Sequence, residues 1–287
     1  MKELIINADD FGLSDGANRA IIKAWQEGIL TSASLMVGGK SFQEAVILAR
    51  ENPGLQVGLH LTLVQGRAVA DHVGTPGITD HLGNFTDDPV LAGMRYFFLK
   101  PLRSQLYREI EGQIIRFRET GLPLSHIDGH LNIHMHPVVF DILTELMPRY
   151  GIRSFRLSRE RLVVDLRISP RRYLGKAADA FIFARLTARS RPHLERLGIG
   201  YSNEVKGLLN SGRMTEGYLT AALDILMDGL TEIYFHPGCR PDEELQQRMP
   251  DYCHEEELSA LTSKRVREKV LRLGIRLRNY RGEYKEI

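Results

Sequence analysis

The feature that most constrains this chain is its alternation of short apolar runs with longer helical patterns. Leu4-Ile5-Ile6, Ser32 to Val37, Leu55 to Leu63, Leu124 to Asp128, Arg153 to Leu157 and Glu232 to Phe235 read as strands. Helical periodicity fills the gaps. Asp15 to Glu27 places Ile21, Ile22 and Trp25 on one face, with Asp15 able to cap it. Ser41-Phe42-Gln43-Glu44 has the form of a capping box. Leu102 to Thr120 spaces Leu106, Ile110, Ile114 and Phe117 by three or four. A helix opening at Pro137 and further helices over Ser169 to Arg189, Thr215 to Asp228 and Glu256 to Leu273 complete the pattern. Strands alternating with helices predict parallel βαβ units, and six or seven units point to a barrel, closed or incomplete, more than to an open sheet. The expected fold class is α/β, in a single domain over residues 1–287.

Composition excludes several function classes. With 43% hydrophobic and 26% charged residues the chain is neither disordered nor collagen-like. A net charge of +2 leaves no whole-protein footprint for nucleic acid. No apolar run approaches the ~18 residues of a membrane-spanning helix. Charge within MKELIINADDFG argues against a secretory signal, so a cytoplasmic location is expected. Two cysteines, Cys239 and Cys253, are too few and too far apart for a zinc ribbon or a disulfide framework. A phosphate-binding P-loop, a Gly-x-Gly-x-x-Gly turn and a Gly-x-Ser-x-Gly elbow are all absent.

The chemistry collects where the strands end. Asp9 and Asp10 close the first strand, and His60 lies in the second half of the third. Asp128 and His130 close the fourth, and His236 follows the last clear one. In (β/α) barrels the carboxyl ends of the strands carry the site. Four of the ten histidines (His126, His130, His134 and His136) fall within eleven residues. Carboxylate and imidazole together suit zinc, manganese, iron or cobalt, and magnesium when waters complete the shell. Adjacent carboxylates on an extended strand point to opposite sides, so Asp9 and Asp10 serve one site only if the chain turns there, which Phe11-Gly12 would allow. One carboxylate could then bind metal while the other stays free as a base.

Two other stretches invite structural readings. Arg95-Tyr96-Phe97-Phe98-Leu99 reads as a core plug, with an apolar wall beside the site as the alternative. The helix over Ser169 to Arg189 carries Leu174, Ala177, Phe181, Ile182 and Leu186 opposite its basic residues, which predicts core packing with a basic outer face. An interfacial helix on a membrane is the minority reading.

Four blocks carry a resemblance across residues 7–238: Asn7-Ala8-Asp9-Asp10-Phe11-Gly12-Leu13-Ser14, Gly58-Leu59-His60-Leu61, Ser125-His126-Ile127-Asp128-Gly129-His130 and Phe235-His236-Pro237-Gly238. In this order they resemble the YdjC/ChbG-like carbohydrate deacetylases. The resemblance implies a deformed (β/α) barrel related to polysaccharide deacetylases, which removes acetyl groups from N-acetylated sugars with one divalent metal, magnesium or zinc. It further implies Asp10, His60 and His130 as metal ligands, Asp9 as general base and His236 as general acid. His126, Asp128 and His134 would bind substrate or support the ligands. Leu131 and Asn132 stand where a common form of the third block is richer in His. Ser34 to Gly39, Met94 to Leu99, Gly207 to Glu216 and Glu232 to Gly238 look most like the hopanoid-associated HpnK branch. That branch implies an N-acetylglucosaminyl hopanoid as substrate and a peripheral contact with the inner face of the membrane. The alternatives are a soluble chitooligosaccharide such as diacetylchitobiose or, from another class, a two-metal phosphoesterase. A binding protein without turnover has no need of a base beside a metal. A homodimer is the expectation from symmetry base rates alone.

Overall fold

The computed structural model describes all of residues 1–287. Its first half runs β1 (Lys2–Phe11), α1 (Asp15–Glu27), β2 (Ser32–Leu35), α2 (Phe42–Glu51), β3 (Gln56–Leu61), α3 (Pro89–Phe98), α4 (Leu102–Glu119) and β4 (Ile127–Gly129). A short 3-10 segment, His130–Met135, leads into α5 (Pro137–Arg149). Then come α6 (Leu162–Ile168), α7 (Tyr173–Arg196), β5 (Glu204–Lys206), α8 (Glu216–Asp224) and β6 (Gly229–Phe235). The chain ends with α9 (Glu243–Arg248), α10 (His254–Thr262), α11 (Lys264–Arg272) and β7 (Arg276–Leu277).

Every strand pairing is parallel, in the order β4-β3-β2-β1-β6-β5, with β7 against the start of β1. The edges of this curled sheet are linked by single bridges, Ile127 to Phe155 and Ser154 to Gly200. The Ile127 N–H donates to Ser154 O at 3.0 Å and the Phe155 N–H to Gly200 O at 3.0 Å. Residues 4–11 of β1 are buried without alternation, as a parallel strand covered on both faces requires. Around it, Leu106, Ile110, Ile114 and Phe117 of α4 are fully buried. Because all strands run one way, their carboxyl ends share one face. Register aligns Ala8 with Phe235 and His60 with Asp128, so the residues that follow Ala8 and Phe235 emerge side by side.

Several local expectations need correction. Ser14, not Asp15, caps α1, its Oγ accepting from the Ala17 N–H at 3.2 Å. The box at Ser41 does not form: Ser41 Oγ donates to Asp15, and Glu44 accepts from the Asn18 amide. The run from Arg153 to Leu157 forms isolated bridges rather than a full strand, and Ser263 breaks the expected C-terminal helix into α10 and α11. Of the aromatic stretch, only Tyr96 is core, its hydroxyl donating to Leu63 O at 2.7 Å, while Phe97 and Phe98 are exposed on α3.

The largest reversal is α7. Its apolar residues Leu174, Phe181 and Ile182 face outward, while Lys176, Thr187, Ser190 and Leu194 face in. Buried Lys176 donates to Asp165 Oδ2 at 2.6 Å and to Ser169 O at 2.8 Å, which satisfies its charge and turns the apolar stripe to solvent. No helix is long and apolar enough to cross a membrane.

Candidate metal and catalytic site

The site begins with a backbone distortion. Asp10 has φ of 65°, in the left-handed region that a non-glycine residue rarely enters, and the register with β2 shifts between Ala8 and Phe11. The strand therefore turns at Asp10 itself, before the Phe11-Gly12 pair expected to allow it. Gly12 serves a different need: its φ of 89° disfavours any side chain, and a Cβ there would crowd Met36 O at 3.1 Å. The bulge separates the two carboxylates, and each acquires its own partners.

Asp10 faces the imidazoles. Its Oδ1 lies 3.1 Å from His130 Nδ1 and 3.4 Å from His60 Nε2, and all three side chains are buried. His60 Nδ1 is 2.8 Å from Asp128 Oδ1; a carboxylate only accepts, so this nitrogen donates and Nε2 is left facing Asp10. Asp128 also accepts from Ser34 Oγ at 2.7 Å and pairs with Arg156 at 2.8 Å. Burial pushes the Asp10 pKa up, but His130 and His60 outweigh it and hold the carboxyl well below its ordinary range. Burial likewise lowers His60, yet Asp128, Asp9 and Asp10 raise it to about 10. The pocket thus demands positive charge where His60 Nε2 meets Asp10. Asp10 Oδ2 is buried with no hydrogen-bond partner. Ligand atoms of Asp10, His60 and His130 all lie within 4.8 Å of one another. One carboxylate oxygen and two imidazole nitrogens fit a divalent cation, and the His60 contact with Asp128 is the carboxylate–histidine support common behind metal ligands.

Asp9 has a different environment. Arg156 grips it with Nη1 on Oδ2 and Nη2 on Oδ1, each at 2.7 Å, and Asn7 Nδ2 donates to Oδ1 at 2.9 Å. The fully buried Arg156 also donates from Nε to Glu232 Oε1 at 2.6 Å and stacks 4.4 Å from the centre of the Tyr234 ring. A second cluster of metal-capable side chains, Asp9, His60 and Asp128, is therefore neutralised by this guanidinium. The sequence reading passed over Arg156. Its signal is a charge between the apolar residues Phe155 and Leu157.

His236 stands across from Asp9, with Nε2 4.0 Å from Asp9 Oδ2. Its backbone N–H donates to Glu257 Oε2 at 2.5 Å, and its carbonyl accepts from His254 Nδ1 at 2.7 Å. Burial lowers the His236 pKa despite the opposing pull of Asp10 and Asp9, so the ring rests neutral with Nδ1 unpartnered. Glu257 and His254, also unread in the sequence, fix the loop that carries it.

The other three histidines of the cluster stay off the Asp10 group; His136 donates from Nε2 to Gly93 O at 3.1 Å, and burial lowers its pKa. His126 stacks on Tyr280 at 3.6 Å between Ser34 and Ser125, and burial lowers its pKa to about 3. His134 donates from Nε2 to Arg156 O at 2.9 Å, and burial lowers it to about 4. His126 and His134 thus sit buried and neutral behind Asp128 and Arg156. Two clefts border the site. One of about 970 Å³ includes Tyr252, whose ring lies 5.1 Å from His236. The other, about 800 Å³, includes Leu13, Met36 and Thr62, the last two residues past His60.

A carbohydrate deacetylase from Brevibacillus brevis is 41% identical over 150 residues, 52% of this chain and 57% of that protein. The chain thus spans little more than half the length of that relative. A carbohydrate deacetylase from Geobacillus stearothermophilus is 34% identical over 204 residues, 70% of this chain and 76% of the relative. A crystal structure from Enterococcus faecalis V583, described as a candidate cellobiose-phosphate cleavage protein, superposes with a TM-score of 0.75. It is 25% identical and covers 98% of both chains. The model of the YdjC-like protein family matches residues 3–272. The chain belongs to the family of YdjC-like proteins.

Proposed function

We propose that residues 1–287 act as one deacetylase domain that hydrolyses the acetamide of an N-acetylated carbohydrate. The observation that carries this reading is the pairing of Asp10, whose Oδ2 is buried without a partner among His60 and His130, with a second carboxylate held apart by Arg156. Asp10, His60 and His130 would hold one divalent ion, magnesium or zinc, which when bound supplies Lewis acidity toward the carbonyl and a lowered pKa for water.

The remaining steps fall to the chain's own residues. Arg156 orients the Asp9 carboxylate through both oxygens, so that Asp9 can accept the proton of the attacking water. His236, 4.0 Å from Asp9 Oδ2, is placed to receive that proton and deliver it to the departing amine. An amine leaves only as the neutral molecule, so an acid at this position is required. Asp128 holds His60 in one tautomer, with Nδ1–H donating and Nε2 facing Asp10.

The two-metal phosphoesterase is disfavoured because a second ion in the Asp9, His60 and Asp128 cluster would meet the Arg156 guanidinium, which sits within 2.8 Å of both carboxylates. For the substrate, a soluble chitooligosaccharide such as diacetylchitobiose is the first choice, since a Serratia marcescens relative 34% identical over 160 residues is named a chitooligosaccharide deacetylase. An N-acetylglucosaminyl hopanoid is a second reading, favoured by the exposed apolar side chains of α3 and α7.

The test is acetate release by metal-loaded protein from each substrate, with and without chelator. Chelator-sensitive release from either supports the reading and chooses the substrate. Metal bound with no release from either overturns it.

A further inference from the structure

The outward face of α7 has an order that core packing does not explain. Leu174, Ala178, Phe181 and Ile182 recur at helical spacing along its first half, with Leu174 81% and Phe181 69% exposed. Arg171 and Arg172 precede this stripe, and Arg185 and Arg189 continue it. Lys176 and Arg189 are paired with Asp165 and Asp141, whereas Arg171, Arg172 and Arg185 stand exposed to solvent. Asp179, the one acid of the stretch, is half-buried.

A second helix repeats the pattern. Val90, Leu91, Met94, Phe97 and Phe98 of α3 are exposed at the same spacing, Phe98 to 68%, and Lys100 follows them. Both helices flank the segment that carries His130. The 3-10 segment packs on α7, the Phe97 ring lies 6.3 Å from His136 at the end of that segment, and Leu131 within it is 43% exposed. Exposed apolar stripes flanked by unpaired cations mark a contact face.

We propose that the outer faces of α7 and α3 dock the protein on an anionic lipid bilayer, with the apolar stripes inserted among the acyl chains and the arginines on the headgroups. Charge decides the occupant. A symmetric contact between two copies of the α7 face sets arginine against arginine whether the helices run parallel or antiparallel, since both ends of the apolar stripe are basic. Anionic headgroups pair with every one of these cations. The docking goes beyond the catalytic reading and does not depend on it.

The test is sedimentation of the 287-residue protein with phosphatidylcholine vesicles and with vesicles containing about 30% phosphatidylglycerol, enough anionic lipid for a strong surface potential. Binding to the anionic vesicles only, weakened by salt, is expected. Arg171→Gln with Arg172→Gln should weaken it roughly fivefold per arginine, about 25-fold together. Leu174→Asp with Phe181→Asp should abolish it while leaving acetate release from a soluble acetylated saccharide intact, which separates this proposal from the catalytic one. No binding to either vesicle overturns the proposal. So does equal binding to both, or a dimer by light scattering that the Phe181→Asp variant dissolves.

Discussion

Arg156 holds both oxygens of the Asp9 carboxylate, Nη1 on Oδ2 and Nη2 on Oδ1, at 2.7 Å each. The next residue, Asp10, has no cation of the chain beside it except the imidazoles of His60 and His130. Two chemically identical neighbours are thereby divided into a carboxylate satisfied by arginine and one left for a metal. The left-handed backbone at Asp10 makes the division possible, and its strain, on the order of 1–3 kcal/mol, is the sort concentrated at functional sites.

Arg156→Lys should keep the metal and lose turnover. Lysine carries the charge but cannot span both oxygens of Asp9 while reaching Glu232. A misplacement of about 1 Å typically costs on the order of 100-fold in rate. Arg156→Met should be worse, losing about 3–5 kcal/mol of stability, because Asp9, Asp128 and Glu232 then remain buried without their counterion. Metal content with kcat for the lysine variant and urea unfolding for the methionine variant check this. Full activity in the lysine variant would show that bidentate geometry is irrelevant.

Asp9→Asn and Asp10→Asn should fail in different ways. The Asp9 variant is expected to retain metal at wild-type stoichiometry and to drop kcat by roughly 100- to 10,000-fold, the usual contribution of a general base. The Asp10 variant, like His130→Ala, is expected to lose the metal. Elemental analysis after gel filtration separates the cases. Loss of metal from the Asp9 variant would exchange the roles assigned to the pair.

These roles were legible in part because a parallel sheet gathers its carboxyl ends on one face. Asp10, His60 and His130 lie 50 and 70 residues apart in the chain, yet strand polarity alone brings them together. Arg156 was not legible, since an arginine next to a short apolar run is ordinarily a surface residue, and three buried acids from β1, β4 and β6 had to be known first. The face of α7 was misread for a related reason. Periodicity locates an apolar stripe but not the side of the helix that meets the protein, and here Lys176 turns inward because Asp165 awaits it. The capping box at Ser41 failed to form because Asp15 and Asn18 of α1 competed for its two side chains.

Asp128→Asn tests the support behind His60. The amide retains one oxygen for His60 Nδ1, but its NH₂ group replaces the oxygen that now accepts from both Ser34 and Arg156; the Ser34 hydroxyl can turn to accept from it, whereas the Arg156 contact is lost. Loss of such a partner commonly weakens metal binding by about 10- to 100-fold. Competition with a metal-sensitive dye should show that weakening with saturable binding still present. Unchanged affinity would mean that Asp128 serves Arg156 alone.

Glu160 provides a test of electrostatics away from the site. It is buried, accepting from the Leu209 N–H at 2.9 Å and from the Tyr218 hydroxyl at 3.3 Å. Burial raises its pKa from 4.5 to about 7, against the pull of the Leu209 hydrogen bond and Lys206. The folded state thus binds the proton more tightly than the unfolded state. The stability that accompanies it is fully present below about pH 4.5 and is lost as pH rises through about 7. Glu160→Gln mimics the protonated form, so it should match the wild type near pH 4 and exceed it by roughly 3 kcal/mol near pH 8. Glu257, raised to about 7 by the same cause, titrates over the same window, so the variant should retain part of the wild-type slope. Urea unfolding at a series of pH values measures both curves. Parallel curves would show that Glu160 is already ionised in the fold, with Lys206 close enough to offset its burial.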